Sequence, residues 1–229
     1  MSQPDPTAAA HTMLRDTLLR ERFVRLWRAC LLPGAAGTGR DPGVVWSKLE
    51  RRYSEPHRVY HDHQHLAHCL EQLDLAGGLI ARPHQVEVAI WFHDVINDPG
   101  SADNEQRSAE YFRGLATGAL DPGFIAAVVD LILVTTHREA PVDPDQQFIC
   151  DIDLASFGCP WECFIHDSNR VKAEFTGTEE DYYRGKRAFL LGMLERPRIF
   201  YTDFFNARYE RQARDNIRRL LELIDHRAE

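Results

Sequence analysis

The sequence predicts a single all-α domain of about nine or ten helices. Apolar residues recur at three- and four-residue spacing through most of the chain, alternating strand patterns of useful length are absent, and Gly/Pro-rich stretches punctuate the apolar segments. The 229 residues, 44% hydrophobic and 27% charged, suffice for one sizeable core and exclude a wholly disordered chain. No internal repeat and no linker separates two cores.

Each element follows from local pattern. Residues 1–11 are rich in Pro and Ala and are expected to form a flexible N-terminus, leaving 12–229 as the helical domain. From Thr12, Leu14, Leu18, Leu19, Phe23, Leu26 and Trp27 recur at helical spacing, and Pro33-Gly34 should stop that helix. Leu32–Gly43 holds four Gly and two Pro and reads as a loop. Val44–Tyr53 places Val45, Trp46 and Leu49 on one side of a short helix, and Tyr60–Leu75 forms another that ends at Gly77-Gly78. Pro83 suits the first turn of the next helix. That helix carries Val86, Val88, Ala89, Ile90, Trp91 and Phe92, apolar nearly all round, and so belongs at the centre of the core. Asn104–Leu115 and Pro122–Thr136 follow. The second is apolar enough to resemble a strand, but its length and its opening Pro122-Gly123 favour a helix. Arg138–Gln147 reads as a loop. Phe148–Phe157, Trp161–Thr176, Glu179–Leu194 and Asp203–His226 complete the set, with Glu179-Glu180-Asp181 complementing a helix dipole.

Composition narrows the function. A net charge of −8 disfavours a general nucleic-acid binder, which needs a basic surface, but leaves room for a small anionic ligand at a local site. The longest apolar candidate, Phe124–Val134, is interrupted by Asp130 and is far shorter than the roughly 18–20 residues of a membrane span. The N-terminal MSQPDPTAAA lacks the basic and apolar regions of a secretory signal, so a cytoplasmic location is expected. Cys30, Cys69, Cys150, Cys159 and Cys163 are odd in number and irregularly spaced, which suits reduced thiols better than a disulfide framework or a zinc knuckle.

The histidines are clustered. Of eleven, His57, His61, His63, His65 and His68 fall within one short stretch. Residues four apart on a helix share a face, so His61 and His65 should project together, with His68 close to that face and His63 pointing elsewhere. A second element, Trp91-Phe92-His93-Asp94, puts two metal-capable groups at the end of the most apolar helix. Burying such groups is costly unless a partner compensates, and a divalent cation does so; a buried His–Asp hydrogen-bonded pair is the structural alternative. A third is Asp151-Ile152-Asp153, where Asp153 can face inward as a further oxygen ligand and Asp151 then points about 200° away on a helix, so that the two are not expected to serve the same ion equally. His65, His93, Asp94 and Asp153 thus form a mixed nitrogen and oxygen set. It suits one or two ions of Mn²⁺, Fe²⁺, Zn²⁺, Co²⁺ or Ni²⁺, with Mg²⁺ a further candidate, better than a pure Ca²⁺ site.

The order His … His-Asp … Asp on consecutive apolar helices resembles the HD superfamily of metal-dependent phosphohydrolases. The flanks are similar to a bacterial branch of predicted metal-dependent HD phosphohydrolases. They comprise Arg58-Val59-Tyr60-His61-Asp62-His63-Gln64-His65-Leu66, Trp91-Phe92-His93-Asp94-Val95, Asp103-Asn104-Glu105-Gln106-Arg107-Ser108-Ala109 and Ala207-Arg208-Tyr209-Glu210-Arg211-Gln212-Ala213-Arg214-Asp215-Asn216. The resemblance covers most of the chain beyond residue 40 and implies an HD-type helical domain. It assigns His65, His93, Asp94 and Asp153 as metal ligands.

What the resemblance implies is hydrolysis of a small phosphorylated substrate, with a nucleotide as one candidate. A divalent ion lowers the pKa of the water it binds from 15.7 towards about 7, and the resulting hydroxide attacks phosphorus. Asp94 ligates the ion and orients the nucleophile. His61, four residues before His65, is similar to the His that protonates the leaving oxygen in cyclic-nucleotide phosphodiesterases, although Asp62 stands where those enzymes carry Asn. Arg58 is the candidate for a bidentate contact to a phosphate oxygen. His137 is a candidate ligand for phosphate or a second ion, or a helix-end histidine. Asn104 and Glu105 are candidates for orienting the metal histidines or for starting a helix; Asp98 suggests a turn, and Arg170 and Lys172 a solvated face. No His-His-Glu-x-x-Asp-Gly-x-Gly-Tyr-Pro run is present, which argues against cyclic-di-GMP hydrolysis. Two rival functions remain open, a di-iron oxygenase of HD type and a non-catalytic ligand-sensing module, as does a homo-oligomeric state; no nucleic-acid or membrane partner is expected.

Overall fold

A computed structural model describes the backbone of residues 6–35 and 40–227, and side chains from residue 12 onward. Ten α-helices make up the fold, with no strand among the described residues: α1 Pro6–Cys30, α2 Pro42–Tyr53, α3 His63–Ala76, α4 Pro83–Phe92, α5 Asn104–Ala116, α6 Pro122–Val134, α7 Pro144–Leu154, α8 Trp161–Glu174, α9 Glu179–Glu195 and α10 Asp203–Asp225. Single 3₁₀ turns follow α3 at Gly77–Leu79 and α7 at Ala155–Gly158. Among the described residues, no helix is long and apolar enough to cross a membrane.

Helix starts are set by capping side chains. Asp41, Asp62, Asp121, Asp143, Thr178 and Thr202 each accept a backbone N–H of the first turn, and a proline stands at the opening of α2, α6 and α7. Three boundaries differ from the pattern-based expectation for local reasons. α1 begins at Pro6 rather than Thr12; of the tail expected to be flexible over 1–11, residues 1–5 lie outside the described residues. α3 starts at His63, not Tyr60, because the Asp62 carboxylate accepts the Gln64 N–H at 2.7 Å and caps the helix there. α7 starts at Pro144, inside the expected loop, because Asp143 and Gln146 form a reciprocal capping box.

α4 is the central helix, as its all-round apolar sequence requires, and packs against α1, α3, α5, α6 and α7. Val86, Val88, Ala89, Ile90, Trp91 and Phe92 are all at most 1% exposed. Trp91 and Phe92 meet Phe23 at centroid distances of 5.4 and 6.2 Å, and Phe92 meets Phe112 at 5.0 Å. Each such ring, fully buried, contributes roughly 1.5–3 kcal/mol of transfer free energy. This aromatic core anchors the helix whose C-terminal end carries His93 and Asp94.

The C-terminal helices close the other side. α10 packs on the 155–158 turn and on α8 and α9. Asn216 Nδ2 donates to Phe157 O and Cys159 O, both at 2.8 Å, and pins that turn. Gly158 is required there, because a Cβ would collide with the Tyr209 side chain. Glu210 accepts the N–H groups of Ile199 and Phe200, while Arg214 donates to the carbonyls of Leu194, Arg196 and Pro197. The 207–216 segment that carries part of the family resemblance therefore supports structure. Asp151, turned away from Asp153 as the helical angle predicts, accepts Tyr201 N–H and Thr202 N–H, both at 2.8 Å, and the Thr202 hydroxyl at 2.7 Å.

Candidate metal centre

Four side chains from two helices and the C-terminal end of a third converge. His65 sits in the first turns of α3, His93 caps α4, Asp94 follows it, and Asp153 lies near the end of α7. His65 Nε2 is 3.2 Å from His93 Nε2, 3.3 Å from Asp94 Oδ2 and 3.4 Å from Asp153 Oδ1. His93 Nε2 is 3.0 Å from Asp94 Oδ2 and 3.5 Å from Asp153 Oδ1. Nitrogen and oxygen ligands at ~2.0–2.2 Å from a common ion stand ~3.3–3.6 Å apart in a tetrahedron and ~2.8–3.1 Å apart at adjacent corners of an octahedron. The five separations span 3.0–3.5 Å, inside the limits these two geometries set, and His65, His93 and Asp153 together with Cys69 offer ligand atoms close enough to share one ion, so the residues present fit a divalent cation. Cys69, one turn after His65, adds a thiol 3.6 Å from His65 Nε2, a ligand type absent from the sequence-based set.

Surrounding contacts orient these donors. His93 Nδ1 donates to Ile90 O at 2.9 Å, which fixes the ring tautomer and leaves the Nε2 lone pair for an ion. Asp153 Oδ2 accepts from His137 Nε2 at 2.8 Å while Oδ1 faces the two imidazoles. His137 holds this position at φ = 54°, the single non-glycine residue at positive φ among those described, one residue beyond the α6 cap region. A left-handed backbone costs a non-glycine residue roughly 1–2 kcal/mol, and such strain concentrates at functional sites.

His61 lies in the turn before α3, not on its first turn, yet still faces His65 at a ring distance of 5.7 Å. Its partner is Glu174, at the end of α8, whose Oε2 accepts from His61 Nδ1 at 2.5 Å. Glu174 Oε1 accepts the backbone N–H groups of Val59, Tyr60 and His61 at 2.7, 2.7 and 2.9 Å. One carboxylate thus shapes the turn and turns the ring, leaving Nε2 for the cavity that His61 lines. Nothing in the sequence around Glu174 marks it; only the fold brings it to a position 113 residues earlier.

Arg58 does not fill its expected role as a phosphate ligand. It donates to the carbonyls of His61 and Asp94 at 2.9 and 2.7 Å and of Val95 at 3.0 Å, pairs with Glu55 at 3.3 Å, and its side chain is 0% exposed. Its planar fork is spent on carbonyls that position both ligand segments. Asn104 bonds Asp98 in a turn, through both amide atoms, instead of orienting a histidine. Arg170 holds the same turn as Glu174, donating to Val59 O at 2.7 Å and Asp62 at 3.0 Å. Lys172 pairs with Glu179 and Tyr183. His63 stacks on Trp46, as its offset from His65 predicts, and His57 donates to Asn97 O. His68 shares a neighbouring cleft with His65, its Nε2 buried without a hydrogen-bond partner.

Electrostatics follow from burial and opposed charge. Burial alone would push the His93 imidazole down, but Asp94 and Asp153 outweigh it and hold His93 well above the ordinary histidine value. His65 is raised likewise, against the same burial penalty, with the Cys69 thiol and Tyr60 hydroxyl contributing alongside the two aspartates. Burial would raise Asp94 and Asp153; the neighbouring imidazoles reverse this and hold both well below the carboxylate range. Without a metal, protons on the imidazoles neutralise the carboxylates. Burial also opposes ionisation of Glu174, but His61 and the backbone donors bring it to about 2.

Beside the four donors lies a cavity of about 190 Å³. His61, His137 and Asp153 line one part of it, Phe157, Phe164 and Phe189 another, and Lys186 from α9 reaches the same space. No protein-family model matches the chain, and no curated protein or solved structure matches it either.

Proposed function

We propose that this chain is a metal-dependent phosphohydrolase of HD type, acting on a small phosphorylated molecule in the cytoplasm. The observation that carries the reading is that the Nε2 atoms of His65 and His93 lie 3.2 Å apart and each stands 3.0–3.5 Å from a carboxylate oxygen of Asp94 and of Asp153, beside a cavity. A divalent cation bound by these donors supplies an acidified water and polarises a phosphoryl oxygen. The chain's own residues do the rest. Asp153 is held by His137 and the His93 ring by Ile90 O, so the donor set is organised before a ligand arrives. His61, fixed through Nδ1 by Glu174, presents Nε2 to the cavity and delivers a proton to the leaving oxygen as water bonds to phosphorus and the ester P–O bond breaks.

The test joins metal content to turnover. Wild type, His93→Ala and Asp94→Ala are purified and analysed for bound metal, then assayed with a generic phosphomonoester and a nucleotide panel in the presence of Mn²⁺, Mg²⁺, Ni²⁺ or Co²⁺. Metal and turnover are expected to disappear together in both variants. Full turnover without metal overturns the reading. Two irons per chain with oxygen uptake identifies an oxygenase, and tight ligand binding without turnover under any metal identifies a sensing module.

A further inference from the structure

Lys186 has no protein counter-ion. It is half-buried on α9, lines the same cavity as His61, His137 and Asp153, and makes no hydrogen bond or ion pair among the described residues. Its ammonium stands over an aromatic face, 5.8 Å from the centroid of the Phe157 ring. Phe164 and Phe189 complete the apolar wall. The one carboxylate on the α8 side of the cavity, Asp167, is already paired with Arg170 at 3.5 Å. Desolvation brings the Lys186 amine down to about 8, so it still carries a proton at neutral pH.

Partial burial of an unpaired ammonium is unfavourable, and burial of charge is ordinarily compensated by a partner. Here the protein supplies none, and the amine lines a cavity of about 190 Å³ that His61, His137 and one of the four donors, Asp153, line as well. We propose that Lys186 is a specificity-determining residue that binds a second anionic group, carboxylate or phosphate, on the leaving portion of the substrate, whose apolar body lies among Phe157, Phe164 and Phe189. The substrate class is therefore a small molecule anionic at both ends. The orientation, with the scissile phosphate at the metal end, rests on the phosphohydrolase reading; the anion site at Lys186 does not.

Three non-hydrolysable probes test it: phenylphosphonate, 4-carboxyphenylphosphonate and 1,4-phenylenebisphosphonate. Binding to the full-length protein is measured by calorimetry with and without Mn²⁺. A charge-assisted contact is expected to make one or both doubly anionic probes bind about 10- to 100-fold tighter than phenylphosphonate, and which of the two gains tells carboxylate from phosphate. Lys186→Met removes that advantage, and Lys186→Arg keeps part of it. Because Lys186→Met also deletes an unpaired, half-buried charge, its melting temperature stays equal to or above that of wild type, which separates lost binding from lost folding. Equal binding of all three probes, an advantage that survives Lys186→Met, or no binding of any probe at millimolar concentration overturns the inference. Lys186-dependent preference without turnover of phenyl phosphate or 4-carboxyphenyl phosphate under any metal refutes the hydrolase reading and leaves the anion site standing.

Discussion

Glu174 and His61, 113 residues apart, are joined by a 2.5 Å hydrogen bond from Nδ1 to a carboxylate that also collects three successive backbone N–H groups. The same side chain therefore sets the path of the turn and the direction of the imidazole. Replacing it with Gln keeps the size but exchanges an anion for a neutral amide. Glu174→Gln is expected to lower kcat about 10²- to 10³-fold with metal content unchanged, a result that metal analysis and steady-state kinetics read together. Loss of metal in this variant would place Glu174 in the metal support and not in proton transfer.

Glu174 also gives the protein an acid-sensitive element. Its folded value near 2 lies below the unfolded value of 4.5. A depressed carboxyl contributes stability that is fully present above the unfolded pKa and is lost as pH falls from there through about 2. The contribution is about 3 kcal/mol at neutral pH. Denaturant titrations of wild type from pH 7 to pH 2.5 should show a drop of that order between pH 5 and the acid limit, and Glu174→Gln should flatten it.

At the candidate centre, protons would compete with a metal ion. The imidazoles of His65 and His93 are raised and the carboxylates of Asp94 and Asp153 are depressed in the metal-free protein. The imidazole contribution is present below the ordinary histidine value and lost as pH rises through the raised one; the carboxylate contribution is present above the ordinary aspartate value and lost as pH falls. Metal-free protein is thus best stabilised between those limits. Metal binding at neutral pH must release protons, so the calorimetric enthalpy will vary with the ionisation enthalpy of the buffer and affinity will weaken on acidification. An enthalpy independent of buffer would show that the imidazoles are already neutral.

Arg58 separates a structural role from a substrate-binding one. Arg58→Met leaves the carbonyls of His61, Asp94 and Val95 without their donor and Glu55 without its partner. Removing one member of a buried charged network costs about 3–5 kcal/mol. Chemical denaturation should show that loss even in the metal-free protein, whereas a phosphate ligand would leave stability unchanged and raise only KM.

His137 carries opposing effects on one residue. At φ = 54° glycine is relaxed where histidine is not. His137→Gly is expected to match or exceed wild-type stability, through relief of roughly 1 kcal/mol, while metal affinity falls about 10- to 100-fold because Asp153 Oδ2 loses its donor. His137→Ala loses the same donor without the relief. Equal metal affinity in all three proteins would assign His137 to backbone geometry alone.

How far the sequence reached depends on whether the information was local. Helical periodicity, the Pro-led starts and the capping aspartates are local, and they determined an all-α chain with the apolar 83–92 helix at its centre. Angular offset on a helix is local too, and it turned Asp153 towards the histidines and Asp151 the other way, into the buried contact with Tyr201 and Thr202. The candidate ligand set was legible because His65, His93, Asp94 and Asp153 are groups too polar to bury without partners, placed at apolar segments. What they were buried against was a tertiary matter. The carbonyls of residues 61, 94 and 95 and the Glu55 carboxylate engaged Arg58, and Glu174 and Lys186 reached the site only when α8 and α9 closed over it. A side chain's partners depend on which distant backbone groups lie within about 3 Å of it, and no spacing along the chain encodes that distance.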